Sequence, residues 1–181
     1  AQTLPAENPF SKPSTLPYQL PPFDKIKVAD YTPAFEAGMA EQRKEVDAIV
    51  KSAAAPTFDN TIVAMERTGR LLTRVARAFF NLNSSDTNDE MQKIAMDMAP
   101  RLTAHQDEIS LDPALFARIK TIYDQREKLG LDAESAQLLK RYYMQFVRSG
   151  ALLPETEKTK LKEINKTLST LTTQFEQNLL K

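Results

Sequence analysis

From Tyr31 onward the large apolar residues fall three and four apart, the spacing that gathers side chains on one face of an α-helix. Phe35, Met39, Val46, Ile49 and Val50 make the first such stripe. Thr32-Pro33 reads as a cap followed by proline at the first helical position, and Ala55-Pro56 as the end. A second stripe of Ile62, Met65, Leu72, Val75, Phe79 and Leu82 predicts one helix from Asp59-Asn60 to the polar run Asn83–Asn88, with Arg67, Arg70, Arg74 and Arg77 spaced for its opposite face. Thr87 and Glu90 form a T-x-x-E capping box for a third helix carrying Met91, Ile94, Met98, Leu102 and Ile109, in which Pro100 predicts a kink. Asp112-Pro113 opens a fourth through Leu115, Phe116, Ile119, Ile122 and Tyr123, stopped by Gly130. Asp132 caps a fifth through Leu138, Leu139, Tyr142, Tyr143, Phe146 and Val147, and Ser149-Gly150 ends it. From Pro154 a last stripe, Leu161, Ile164, Leu168, Leu171, Phe175 and Leu179, begins like a coiled-coil seam and runs to Lys181.

The first 30 residues keep neither period. Pro5, Pro9, Pro13, Pro17 and Pro21 recur every four residues, whereas a polyproline II ligand is read with a period of three. Proline cannot donate a ladder hydrogen bond and steers its predecessor away from the α region. The segment is therefore expected to be an extended, ordered arm that buries Leu16, Tyr18, Leu20, Phe23 and Ile26 on a helical body. The resulting expectation is an all-α protein, an antiparallel bundle of about six helices joined by short loops, with residues 1–30 as the Pro-rich arm and 31–181 as the helical lobe. The last helix has no closing glycine, proline or polar tail, which predicts a truncated element of a longer protein. Four large apolar residues late in that helix, Leu168, Leu171, Phe175 and Leu179, are expected to recruit a covering surface, either the remainder of the polypeptide or a second copy.

Composition then removes whole classes of chemistry. Twenty-four Lys and Arg balance 24 Asp and Glu, so nucleic acid and anionic membrane are poor partners. No apolar run approaches the roughly 20 residues that cross a bilayer. The absence of Cys excludes disulfides, thiol nucleophiles and thiolate metal sites. With 4 Gly in all, there is no G-x-S-x-G, G-x-x-x-x-G-K or G-x-G-x-x-G. His105, followed by Gln106 and Asp107, is the one histidine and cannot make an H-E-x-x-H zinc site, so it is assigned a packing or surface role. The acid pairs Glu41 with Glu45 and Glu155 with Glu157 read as solvated helix faces, and Tyr142-Tyr143 with Phe146 reads as core. The arginine row 67, 70, 74, 77 is the better candidate for holding a carboxylate, because the guanidinium fork binds such groups bidentately. No catalytic or metal-ligating residue is assigned, and substrate-binding residues stay unassigned. The chain begins Ala1-Gln2-Thr3, which leads to the expectation of a processed, periplasmic protein, with a cytoplasmic one as the alternative.

Several blocks occur in one order: NPF at 8–10, STLPYQLPPFDKI at 14–26, YTPAFEAGM at 31–39, FDNTIVAMERTGRLLTRV at 58–75, TNDEMQ at 87–92, LFARI at 115–119, LGLDAES at 129–135 and LTTQFEQNLL at 171–180. In these the chain resembles the N-terminal portion of bacterial peptidyl-dipeptidases, in the thimet-oligopeptidase-like family of zinc metallopeptidases. The resemblance implies a larger helical enzyme with two lobes flanking a deep channel. Its zinc, general-base Glu and oligopeptide chemistry would lie in the remainder of the polypeptide, and this segment would wall the channel. An endopeptidase-like relative of the same family shares that implication. The competing expectation is a free-standing helical adaptor that binds protein partners through its apolar grooves.

Overall fold

The computed structural model describes residues 4–179. The elements in order are α1 (Val28–Val50), a π-helical stretch (Phe58–Val63) that runs into the short α2 (Ala64–Glu66), α3 (Arg70–Ser85), α4 (Asp89–Ser110), α5 (Pro113–Asp124), α6 (Ala133–Arg148) and α7 (Glu155–Asn178). Six of the helices have 12 or more residues. There is no strand among the described residues, and the all-α bundle expected from the spacing is what forms. The last two residues of the stretch predicted as the final helix, Leu180 and Lys181, lie outside the described residues.

The chain divides into two compact units, with boundaries at Arg43/Lys44, Thr68/Gly69, Thr103/Ala104 and Asn165/Lys166. In the first unit Phe10 from the arm, Tyr31, Ala34 and Phe35 from α1, Leu71, Val75, Ala78 and Phe79 from α3, and Met91, Ala95 and Met98 from α4 share one core. Its centre is a ring cluster: Tyr31 meets Phe79 edge-on at 5.0 Å, and Phe35 meets Phe79 edge-on at 5.4 Å, the edge-to-face geometry that aromatic quadrupoles favour. Gly38 lets α1 approach α3 closely, because a Cβ there would lie 2.8 Å from the Leu72 Cα. In the second unit Val46, Ile49, Ile62, Met65, Ile109, Leu115, Phe116, Ile119, Ile122, Leu139, Phe146 and Ala151 form a separate core.

Four boundaries differ from those the spacing predicts. Helix α1 begins at Val28, so Pro33 lies inside it. The start is secured by Asp30, whose carboxylate accepts from the Lys27 N–H at 2.8 Å, the inward half of a capping box without its Ser or Thr. Helix α1 stops at Val50, short of Ala55-Pro56, because Arg118 holds the carbonyls of Ser52 and Ala54 at 3.2 and 3.3 Å in a non-helical path. The helix predicted across 59–82 is two elements: Gly69 adopts φ +68°, a left-handed conformation, and a Cβ there would meet the Gln42 amide at 2.5 Å. Ile62 and Met65 consequently enter one core, and Val75 and Phe79 the other. Helix α4 is capped by Asn88, which accepts from the Met91 N–H at 2.9 Å, and not by Thr87, whose hydroxyl donates to Asn83.

The predicted caps at Asp112 and Asp132 form as expected, Asp112 accepting from the N–H groups of Ala114 and Leu115, each at 2.8 Å, and Asp132 from Ser135, also at 2.8 Å. The arm departs most. Leu16, Leu20 and Phe23 are exposed and Tyr18 is 98% exposed, so the burial expected of them does not occur. The short 3-10 turn Pro17–Gln19 places Tyr18 and Gln19 at φ +56° and +55°, and the turn carries the tyrosine ring into solvent.

Candidate functional site

What holds the arm is its first third. Asn8 is buried, donating from Nδ2 to the Asp30 carbonyl at 3.0 Å and accepting from the Phe10 N–H at 3.0 Å. This is the side-chain-to-backbone turn that Asn forms readily before proline. It delivers Phe10, 4% exposed, onto Tyr31 with ring centroids 5.5 Å apart. The Tyr31 hydroxyl is buried with no hydrogen-bond partner, and burial, with Asp30 beside it, pushes its pKa up. The Phe10 carbonyl then accepts from Arg74 Nη2 at 3.1 Å.

That bond closes one wall of a cavity of about 270 Å³ between the arm and α3. Pro9, Leu20, Pro21 and Pro22 line its apolar side, and Lys12, Arg74 and Arg77 bring three cations to it with no acidic residue in the lining. Arg74 Nε is buried and has no acceptor. The arginine row is thus split. Arg74 and Arg77 share the cavity, whereas Arg67 lies before the break at Gly69 in the other unit and Arg70 is exposed at the start of α3.

The other candidates resolve into structure. His105 is buried, and no group of three His, Cys, Asp or Glu among the described residues is placed to hold a metal ion. Glu155 and Glu157 pair with Lys158 at 2.9 Å and Lys160 at 3.0 Å along α7. Glu41 is exposed on α1. Tyr143 stacks on Tyr123 at 3.9 Å with parallel planes and on Phe116 at 5.8 Å, while Phe146 is buried beside Phe116, so this aromatic group is core. Tyr142 donates to Glu66 Oε1 at 2.6 Å, and burial together with that bond raises its pKa well above the phenol range.

Two features had little or no signature in the periodicity. Arg118 is buried in the second unit and donates to neutral acceptors throughout: Thr61 Oγ1 at 3.3 Å, Asn60 Oδ1 at 3.1 Å, and the Ser52 and Ala54 carbonyls. It sits one helical turn from Leu115 and beside Ile119, where an apolar stripe gives no hint of a buried cation. The π-helical turn it braces does have a signal, Thr57 and Asn60 in reciprocal capping bonds of 3.1 and 2.9 Å. Along α7, Leu168, Leu171, Phe175 and Leu179 are 56 to 71% exposed, so the seam does not fold back as core.

No family model matches the chain. Over 173 residues, 96% of its length, it is 44% identical to the dipeptidyl carboxypeptidase of Salmonella typhimurium strain LT2, and equally to that of Escherichia coli strain K12. It is 24% identical over 171 residues to oligopeptidase A of Escherichia coli strain K12. The chain spans about a quarter of the length of these relatives, and the matching part is their N-terminal quarter. The resemblance drawn from the sequence blocks is borne out by these similarities.

Proposed function

We propose that the chain is the N-terminal helical segment of a peptidase that releases dipeptides from the free C-termini of oligopeptides. The observation that carries this is the 44% identity, across 96% of the chain, to the N-terminal quarter of two dipeptidyl carboxypeptidases. The segment's part is to wall the channel that admits unfolded peptide ends. Zinc would be the catalytic metal of such an enzyme. The residues present here do not fit it: a catalytic zinc needs three protein ligands, the chain offers one imidazole, buried, and no thiolate, and no group of three His, Cys, Asp or Glu among the described residues is placed to hold a metal ion. The hydrolytic steps belong to the remainder of the polypeptide.

The α7 stripe supports the same reading. Four large apolar side chains left in water forgo roughly 1.5 to 3 kcal/mol each, and a stripe of this kind ordinarily marks an interface. The occupant proposed for it is the remainder of the same polypeptide, since three quarters of the length of the relatives lies beyond the matched part. Self-association of the isolated segment through the same stripe follows as a substitute contact.

The test starts from the reading frame past Lys181. A polypeptide extended through it is expected to contain H-E-x-x-H, to release dipeptides from a tetrapeptide with a free C-terminus, to spare the C-terminally amidated peptide, and to lose activity to a chelator. The 181-residue chain is expected to release none. A continuation without that motif, or hydrolysis by the 181-residue chain after removal of contaminating peptidases, would overturn the proposal.

A further inference from the structure

We infer that the cavity between the arm and α3 is a binding site for a carboxylate carried on an apolar amino-acid residue. Three observations meet there. Lys12, Arg74 and Arg77 converge on a space of about 270 Å³ whose lining holds no acid to neutralise them. Like charges gathered side by side raise the local potential and favour an incoming anion. Arg74 is fixed by its bond to the Phe10 carbonyl, while Arg77 is exposed and no described residue accepts from or pairs with it. A planar carboxylate matches the guanidinium fork of an unpaired arginine.

The walls set the rest of the ligand. Pro9, Leu20, Pro21 and Pro22 give the cavity an apolar side. The volume is just below the roughly 300–1,000 Å³ of sites for drug-sized molecules, which suits a single residue with its carboxylate. Tyr18 and Gln19, both in the lining, hold consecutive left-handed conformations that non-glycine residues adopt only at a cost, and such strain clusters at ligand clamps. The inference rests on this cavity and not on the peptidase reading, and it stands or falls in an assay without hydrolysis.

The experiment is a titration of the 181-residue chain, followed by NMR or calorimetry, with N-acetyl-leucine, its amide, and the α-amide of N-acetyl-glutamate. N-acetyl-leucine is expected to bind and its amide not. Arg77→Gln is expected to weaken binding about tenfold while leaving Tm unchanged, because Arg77 is exposed and supports nothing else in the fold. Tighter binding of N-acetyl-leucine than of the glutamate amide would identify a free peptide C-terminus as the source of the carboxylate. The reverse order would identify an acidic side chain and overturn the apolar part of the inference. Equal binding of the leucine acid and amide, affinity unchanged by Arg77→Gln, or no binding of either carboxylate up to its solubility would overturn it.

Discussion

At the scale of single residues, the arm shows how little apolarity alone says about burial. Phe10 and Phe23 are the same side chain 13 positions apart, yet Phe10 is 4% exposed and Phe23 42%. The difference is made by Asn8, whose two hydrogen bonds aim Phe10 into the ring cluster, and by the left-handed turn at Tyr18 and Gln19, which carries the following chain outward. Phe10→Ala is expected to destabilise the chain by about 3 to 5 kcal/mol, the range for emptying a buried aromatic site. Phe23→Ala and Tyr18→Ala are expected to stay within about 0.5 kcal/mol. Thermal denaturation of the three variants checks this, and a larger effect at Phe23 than at Phe10 would reverse the assignment of the anchor.

At the scale of elements, close approach and capping decide where helices pass and start. A Cβ on Gly38 would lie 2.8 Å from a backbone atom of α3, where no side chain can swing aside. Gly38→Ala is therefore expected to lower stability despite the better helix propensity of alanine, by about 1–3 kcal/mol as overpacking does. At Gly130 the added Cβ meets nothing, so Gly130→Ala carries only the cost of its φ of +61°. The N-cap of α6 predicts a pH dependence with a definite sign. Bonds from Ser135, backbone first and hydroxyl second, hold Asp132 below its ordinary 3.8. A carboxylate with a depressed folded-state pKa stabilises above its unfolded value and loses that contribution as pH falls through the folded one. Asp132→Asn keeps a capping acceptor and cannot titrate. Its Tm is expected to lie below wild type at neutral pH, the gap closing as pH drops below about 3.8; a gap independent of pH would mean the charge is irrelevant.

At the scale of the whole molecule, each unit has its own core, and α7 carries an apolar stripe that enters neither. Leu171→Glu combined with Phe175→Glu is expected to leave the Tm of the 181-residue chain nearly unchanged, because both side chains are already exposed. In the polypeptide extended past Lys181 the same double change is expected to lower stability by several kcal/mol, the cost of burying unpaired carboxylates. Sedimentation at several concentrations completes the comparison, with self-association of the short chain lost in the double variant. Collapse of the short chain itself would show that the stripe is internal core.

Much was legible in the sequence because its physical basis is local. Three-and-four spacing defines a helical face whatever it packs against, so the all-α class and six long helices followed from it, and Asp112 and Asp132 cap because the acceptor and the orphan N–H groups are neighbours along the chain. The eight blocks carried the relationship to dipeptidyl carboxypeptidases because order and residue identity survive without coordinates. Periodicity could not divide the stripe 59–82, since Ile62 and Phe79 look alike until Gly69 sends them to different cores. Nor could it place Arg118 inside a core, because its acceptors come from residues 52–61, about 60 positions away in sequence. For the arginine row, too, spacing along a helix proposed four equivalent cations, and tertiary structure chose Arg74 and Arg77 by folding the arm against them. Local propensity acts through the residue's own neighbours, whereas burial, orphaned donors and shared cavities depend on what distant segments bring, and only the folded chain sets those distances.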